Sequence, residues 1–251
     1  MSKLSLSDSL TELPFNKIFF KLAVPNVCGT FFAASTVVFD LWYIGKIGIS
    51  ELAGVAYIFP IYMLTSMLSN GAFGGAVSGA TARAFGSKNI TQAECIFRSA
   101  ILIAFLGAII MMFLFFSFSA MFLIYFNVDI QVSIAAITYG DIFLKGIFLI
   151  WLFNIIIAIT RGSGNTTIAA VSWLIVLFFH ILFATLNFNF DEGNILLTNN
   201  VSFLNEIFVF TSLEWSAISL LTGYLAGIIF ILGFYFFGRH SYSFNFQDIL
   251  K

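Results

Sequence analysis

Four polar residues lie inside stretches that are otherwise apolar, and their side chains are the groups of this sequence best suited to chemistry. They are Asp40, Asn154, His180 and Thr222. An ionisable side chain in hydrocarbon costs a few kcal/mol, so it normally faces the interior of a helix bundle or water. If these four side chains converge, they offer oxygen and nitrogen ligands to one small cation.

Each of the four also has an ordinary structural interpretation. Asp40 comes late in its apolar stretch, so it either marks the outer end of a helix and reaches water or forms an ion or proton site. His180 is either a hydrogen-bonded packing residue or a functional group. Asn154 and Thr222, taken one at a time, are explained by hydrogen bonds that bridge neighbouring helices.

The elements that carry these residues follow from composition. Of the 251 residues, 60% are hydrophobic and only 9% are charged, whereas soluble domains carry roughly 25% charged residues. This excludes a soluble globular protein. Each apolar stretch exceeds the roughly 20 residues that cross a bilayer as a helix, so we predict an all-α, polytopic membrane protein with six transmembrane helices. The six stretches are 17–45, 52–81, 95–126, 132–160, 167–188 and 213–238.

Positive charges set the predicted orientation. Nine of the eleven Lys and Arg residues lie near the chain ends or in the second and fourth loops, and only Lys46 and Lys145 remain for the opposite face. Cytoplasmic loops carry this excess, so we predict a multi-pass protein of the cell membrane with both termini in the cytoplasm. The predicted parts are a cytoplasmic segment 1–16, a transmembrane lobe 17–240 and a cytoplasmic tail 241–251.

Several classes of function are disfavoured. The net charge of −1 gives no basic surface for nucleic acid. Two cysteines, Cys28 and Cys95, cannot form a zinc site alone. The sequence has neither a paired-carboxylate motif nor a nucleophile elbow, so we predict that the protein is not an enzyme and has no cofactor.

Glycine and proline shape two of the predicted helices. Pro25 removes a backbone donor within the first stretch, which predicts a kink there. Gly71, Gly75 and Gly79 recur every four residues and form a smooth stripe, suited either to close helix packing or to a cavity wall. Asp141 and Lys145 are spaced for a surface ion pair.

Five segments, in this order, resemble the multidrug and toxic compound extrusion (MATE) transporters. The resemblance runs from about residue 17 to 240, on six helices with cytoplasmic ends. The segments are Leu22–Pro25 with Gly29 and Asp40, Tyr43–Gly48, Glu51–Pro60, Gly71–Gly86 and Thr160–Thr166.

The resemblance implies export of drugs or other amphipathic or cationic organic compounds in exchange for inward Na⁺ or H⁺. It also implies that the coupling ion, such as Na⁺, binds at Asp40, with polar groups of later helices at Asn154, His180 and Thr222. The family often has Asn at the His180 position, and one branch has an Asp where Ala184 stands. Asp40 is therefore expected to be the one carboxylate of this site, which leaves Na⁺ and H⁺ both open.

Length is the main departure from the family. Its members have about twelve helices in two lobes, and alternating access needs both. We therefore expect three partners: membrane lipid, a small organic substrate, and a second six-helix lobe from another copy or a separate chain. Two alternatives remain: a truncated remnant or membrane interaction partner that transports nothing, and a flippase for lipid-linked precursors.

Overall fold

The computed structural model describes residues 14–125, 128–186, 188–191, 194–197 and 211–237. Most of the predicted end segments, 1–16 and 241–251, lies outside these residues. Within these residues, eight α-helices and one π-helical segment form a single bundle. The helices are α1 (Phe15–Ile47), α2 (Ile49–Ser66), α3 (Gly74–Gly86), α4 (Ile90–Tyr125), α5 (Ile130–Lys145), α6 (Ile147–Gly162), α7 (Thr166–Thr185) and α8 (Ser212–Phe237), with the π segment Met67–Phe73 between α2 and α3.

Five helical stretches of the described chain are long and apolar enough to cross a membrane, and a sixth results if α5 and α6 count as one bent span. The stretch Ile49–Gly86, which runs through α2, the π segment and α3, counts as one of these candidate spans. The predicted six-helix, all-α fold is thus confirmed. An antiparallel hairpin, Phe188–Asp191 with Asn194–Leu197, is the addition that the sequence did not predict.

The predicted fourth span, 132–160, is not one straight helix. It breaks at Gly146 into α5 and α6, which meet at a bend of 50°. By contrast, α1 continues through Pro25 without a break in its helix. Proline has no backbone N–H to donate, but the helix continues past it. The predicted functional kink at Pro25 stays a prediction.

Short polar caps define where several helices begin. Asp129 accepts a hydrogen bond from the amide of Gln131 at the start of α5. Thr211 and Glu214 bond reciprocally at the start of α8, with the Glu214 carboxylate 2.7 Å from the Thr211 amide nitrogen. These are an N-cap and a capping box, which satisfy amides that the first helical turn leaves unpaired.

Helix α6 lies at the centre of the bundle. Eleven of its sixteen residues are buried, and it packs against α3, α4, α7 and α8. A helix that is apolar on all sides needs such a central position. Around it, α7 packs against both α1 and α8, and α2 packs against α5. These contacts bring α1, α5, α7 and α8 together where Asp40 lies.

Candidate functional site

Asp40 is buried, with 6% of its surface exposed, and does not reach water through the end of α1. Its Oδ2 accepts a hydrogen bond from the Tyr139 hydroxyl of α5 at 2.7 Å. Its Oδ1 accepts another from the Ser216 hydroxyl of α8, also at 2.7 Å. Burying a carboxylate is costly unless it is paired and hydrogen-bonded, and two hydroxyls meet part of that requirement.

His180 of α7 completes the surroundings of the carboxylate. Its Nε2 lies 3.5 Å from Asp40 Oδ1, and its side chain is fully buried. Its Nδ1 lies 3.0 Å from the hydroxyl of Ser219. The ring of Phe39 packs edge-on against the imidazole, with the ring centroids 5.2 Å apart. Four helices therefore contribute to one polar cluster, which we call the Asp40 cluster: Asp40, Tyr139, His180, Ser216 and Ser219.

The hydrogen bonds of Ser219 determine whether His180 Nε2 is a donor or an acceptor in the neutral ring. The Ser219 hydroxyl donates to the carbonyl of Ser216 at 2.7 Å. Its one hydrogen is then used, so Nδ1 must carry a hydrogen and donate to the Ser219 oxygen. In a neutral ring Nε2 is then a bare acceptor, and this buried atom has no hydrogen-bond partner in the described structure. Two acceptors, Nε2 and Oδ1, face each other, and a proton or a small cation between them satisfies both.

A small cavity adjoins the carboxylate. It measures about 20 Å³, and its polar lining comes from Asp40, Tyr62 and Tyr139. That volume holds about one water molecule. Tyr62 in turn shares a hydrogen bond of 3.0 Å with Tyr224 of α8. The cluster can therefore hold one proton or one monovalent cation with a water beside it, but not an organic substrate.

Two of the four residues singled out from the sequence are in contact, and two lie elsewhere. Asn154 donates to Ser69 of the π segment at 2.8 Å, and its own carbonyl oxygen has no partner among the described residues. Thr222 donates back to the carbonyl of Ser219 in its own helix. Asn154 thus bridges two helices, and the ion-coupling role of all four residues stays a prediction.

Tyr139, Ser216 and Ser219 belong to the cluster but were not among the residues singled out from the sequence. Hydroxyl side chains are common in membrane helices, where they bond to backbone carbonyls. Ser216 and Ser219 are three residues apart, which places both on one face of α8. That spacing beside Thr222 was the available signal, since it marks a polar stripe on an otherwise apolar helix.

The predicted glycine stripe faces away from the neighbouring helices. A methyl group added at Gly71 or Gly75 meets no atom within 4 Å, and one at Gly79 meets only the Arg83 side chain at 3.6 Å. Gly75 lines an open cavity of about 630 Å³ at the end of the lobe where α1 begins. The Asp141–Lys145 pair is present at 3.5 Å on the surface.

These features define a membrane protein whose helices enclose one buried carboxylate near a cavity. The sequence model of the MatE family matches residues 25–186, and the chain belongs to this family of transporters. Its fold is similar to a multidrug resistance MATE transporter of the MOP superfamily solved in an outward-facing conformation (TM-score 0.79, 17% identity, 99% of this chain and 51% of that one).

Two further similarities concern other named transporters. A MOP superfamily transporter from Pyrococcus furiosus, described as having a binding pocket of reverse polarity, matches with a TM-score of 0.76 at 18% identity, over 99% of this chain and 51% of that chain. A protein of Shewanella oneidensis named FAD transporter is 27% identical over 97 residues, which are 39% of this chain and 21% of that protein. The chain thus spans about half the length of the solved structures that it matches.

Proposed function

We propose that this chain forms one lobe of a cation-coupled exporter in the cell membrane. In this proposal the Asp40 cluster binds the coupling ion, H⁺ or Na⁺, and releases it on the cytoplasmic side while a small organic compound leaves the cell. The observation that carries the proposal is the buried Asp40 carboxylate, whose Oδ1 faces the unpartnered Nε2 of His180 at 3.5 Å.

Ion binding has a direct route to movement of the helices. Asp40, Tyr139, His180 and Ser216 come from α1, α5, α7 and α8. Neutralising the carboxylate weakens its charge-assisted hydrogen bonds to Tyr139 and Ser216, each of which contributes about 1.5–3 kcal/mol. Because these bonds tie α1 to α5 and α8, their weakening lets α1 shift. Pro25, which has no backbone N–H to donate, lies within this same unbroken helix.

The driving force suits this role. An inward monovalent cation gains about 2.3 kcal/mol per 100 mV of membrane potential, which corresponds to a gradient of roughly 50-fold for an uncharged substrate. A one-for-one exchange with a cationic substrate moves no net charge, so it depends on the concentration gradient of the coupling ion. The substrate class we propose is amphipathic or cationic organic compounds. The cytoplasmic position of both termini follows from the excess of Lys and Arg on that side.

In this proposal a second six-helix lobe completes the transporter. The solved relatives are about twice as long as this chain, and a two-lobed cavity needs two bundles. An even number of spans inserts both copies of a homodimer in the same orientation. Chemical crosslinking in native membranes tests this part, since a dimer or a complex with another protein is expected, and a strictly monomeric chain would contradict it.

Export itself is tested by ethidium accumulation in cells that lack their own pumps. Cells expressing the chain should accumulate less ethidium than cells with an empty vector, and Asp40→Asn should restore the level of the empty vector. Asp141→Asn is the matched control, because this surface carboxylate is half-exposed and pairs only with Lys145. Equal accumulation for wild type, Asp40→Asn and empty vector would favour the alternative of a membrane protein that transports nothing.

A further inference from the structure

Arg161 lines the open cavity of about 630 Å³ at the end of the lobe where α1 begins. The cavity lies between the first turns of α1, the π segment with α3, and the α6–α7 turn. Its polar lining consists of Asn26, Asn70, Ser78, Arg161 and Thr166. Under the proposed orientation this is the cytoplasmic mouth of the lobe, far along α1 from Asp40.

The guanidinium of Arg161 is not balanced by the protein around it. A guanidinium has five N–H donors and no acceptor. One of them, at Nη2, donates to the side-chain oxygen of Asn70. Its Nε is buried without a hydrogen-bond partner, and among the described residues no carboxylate lies within ion-pair distance. A partly buried cation of this kind is costly unless an anion accompanies it.

The surrounding charge favours an anion. The described residues at this end of the lobe carry six cations and one acidic group, Glu94 of α4. The six are Lys17, Lys21, Arg83, Lys88, Arg98 and Arg161. Arg161 is the charged residue of the cavity lining itself, and the other five cations add a positive potential at this end of the lobe, which raises the local concentration of anions. The amide and hydroxyl groups of Asn26, Ser78 and Thr166 add neutral hydrogen-bonding capacity beside the guanidinium.

We propose that this cavity binds a small molecule or lipid headgroup through a phosphate or carboxylate group held by Arg161, with Asn70 orienting the guanidinium. A guanidinium binds such groups in a bidentate manner, and the cavity volume lies in the usual range for small-molecule sites. Its role as an entry site for amphipathic substrates that carry an anionic group rests on the proposed export function, whereas the binding itself does not.

Gly75 allows a test that leaves Arg161 in place. It lines the same cavity, and a methyl group added there meets no atom within 4 Å. Gly75→Asp therefore introduces a carboxylate into open space, where it competes with the ligand for the guanidinium. Gly75→Asn has nearly the same shape without the charge, so it is the matched control. Arg161→Gln removes the cation directly, and Arg83→Gln removes an exposed cation elsewhere on the same end.

Binding is measured on the purified full chain in nanodiscs, without any ion gradient. Riboflavin and riboflavin 5′-phosphate serve as probes, because they share one fluorescent ring and differ by a phosphate. We expect wild type, Gly75→Asn and Arg83→Gln to bind the phosphorylated probe about tenfold or more tightly than riboflavin. Gly75→Asp and Arg161→Gln should lose this preference. Equal affinity for both probes in wild type, or a preference that survives both of these variants, would overturn the proposal.

The lipid composition of the nanodisc separates the two sources of the anion. If an anionic phospholipid headgroup occupies the site, phosphatidylglycerol in the disc should weaken binding of the phosphorylated probe to wild type more than to Arg161→Gln, because repulsion by the charged surface is the same for both. If the ligand comes from the cytoplasm, the lipid should change the binding of both proteins equally. If the wild-type chain binds the phosphorylated probe preferentially but does not export ethidium, the result counts against the proposed function alone. If it exports ethidium but shows no preference for the phosphorylated probe, the result counts against this site alone.

Discussion

Gly223 sets the distance between α7 and α8 where the Asp40 cluster forms. A methyl group at this position would lie 2.6 Å from the carbonyl oxygen of Val176 and 3.4 Å from the Cβ of His180. Carbon–oxygen contacts of this type need about 3.3 Å, so Gly223→Ala requires the two helices to separate by about 0.7 Å. The Ser219–His180 bond of 3.0 Å would then open to about 3.7 Å, beyond the range of a hydrogen bond.

The size of the effect follows from a comparison on one helix. Overpacking of this kind costs about 1–3 kcal/mol, while replacing a helical glycine by alanine contributes up to about 1 kcal/mol in the opposite direction. Gly233→Ala is the control, because it lies in α8 too and its added methyl meets no atom within 4 Å. The helix-propensity contributions cancel between the two variants, which leaves the overpacking cost.

Thermal unfolding of both variants in detergent gives the measurement. A chain of this size loses roughly 2–4 °C of melting temperature per kcal/mol, so Gly223→Ala should melt about 2–12 °C below Gly233→Ala. It should also lose ethidium export while Gly233→Ala retains it. If the two variants are equally stable and equally active, the close α7–α8 contact does not exist as described.

Two further predictions concern the cluster and the orientation. Ser216→Ala and Tyr139→Phe each remove one hydrogen bond to Asp40 and should reduce ethidium export at unchanged expression. Ser172→Ala is the control and should not reduce export, because the Ser172 hydroxyl bonds to a carbonyl of its own helix. Equal export by all three variants would contradict a role of the two Asp40 hydrogen bonds in transport. The orientation is tested in a chain whose native cysteines are replaced. Ser87→Cys should react with a membrane-impermeant maleimide only from the cytoplasmic side, and Gln131→Cys should react only from outside. Labelling of both cysteines from the same side would contradict the proposed orientation.

The spans were predictable because each is a long apolar stretch, and the bend at Gly146 was not. Apart from Asp141 and Lys145, the residues around Gly146 are mostly apolar and helix-forming, so the average hydropathy stays high through the break. The π segment escaped prediction for the same reason. Both features depend on contacts with other helices, and hydrophobic length alone carries no information about them.

The candidate site was predictable in its residue types but not in its pairings. Asp40 and His180 stood out because ionisable side chains are rare in these stretches, and they do lie within 3.5 Å of each other. Asn154 stood out equally, yet it bonds to Ser69. Which side chains meet depends on how far each helix is shifted along the bundle and how it is rotated about its own axis. Neither quantity can be predicted from hydropathy when almost every face of a helix is apolar, as in α6.

The most direct test of ion coupling at Asp40 is ion movement in proteoliposomes that contain the purified chain. An outward gradient of ethidium is imposed, and inward movement of H⁺ and of Na⁺ is recorded with a pH-sensitive dye and with radioactive sodium. Wild type and Asp141→Asn should move one of these ions in response to the gradient, and Asp40→Asn should move neither. Ethidium-dependent ion movement that persists at the wild-type rate in Asp40→Asn would contradict the assignment of Asp40 as the coupling residue.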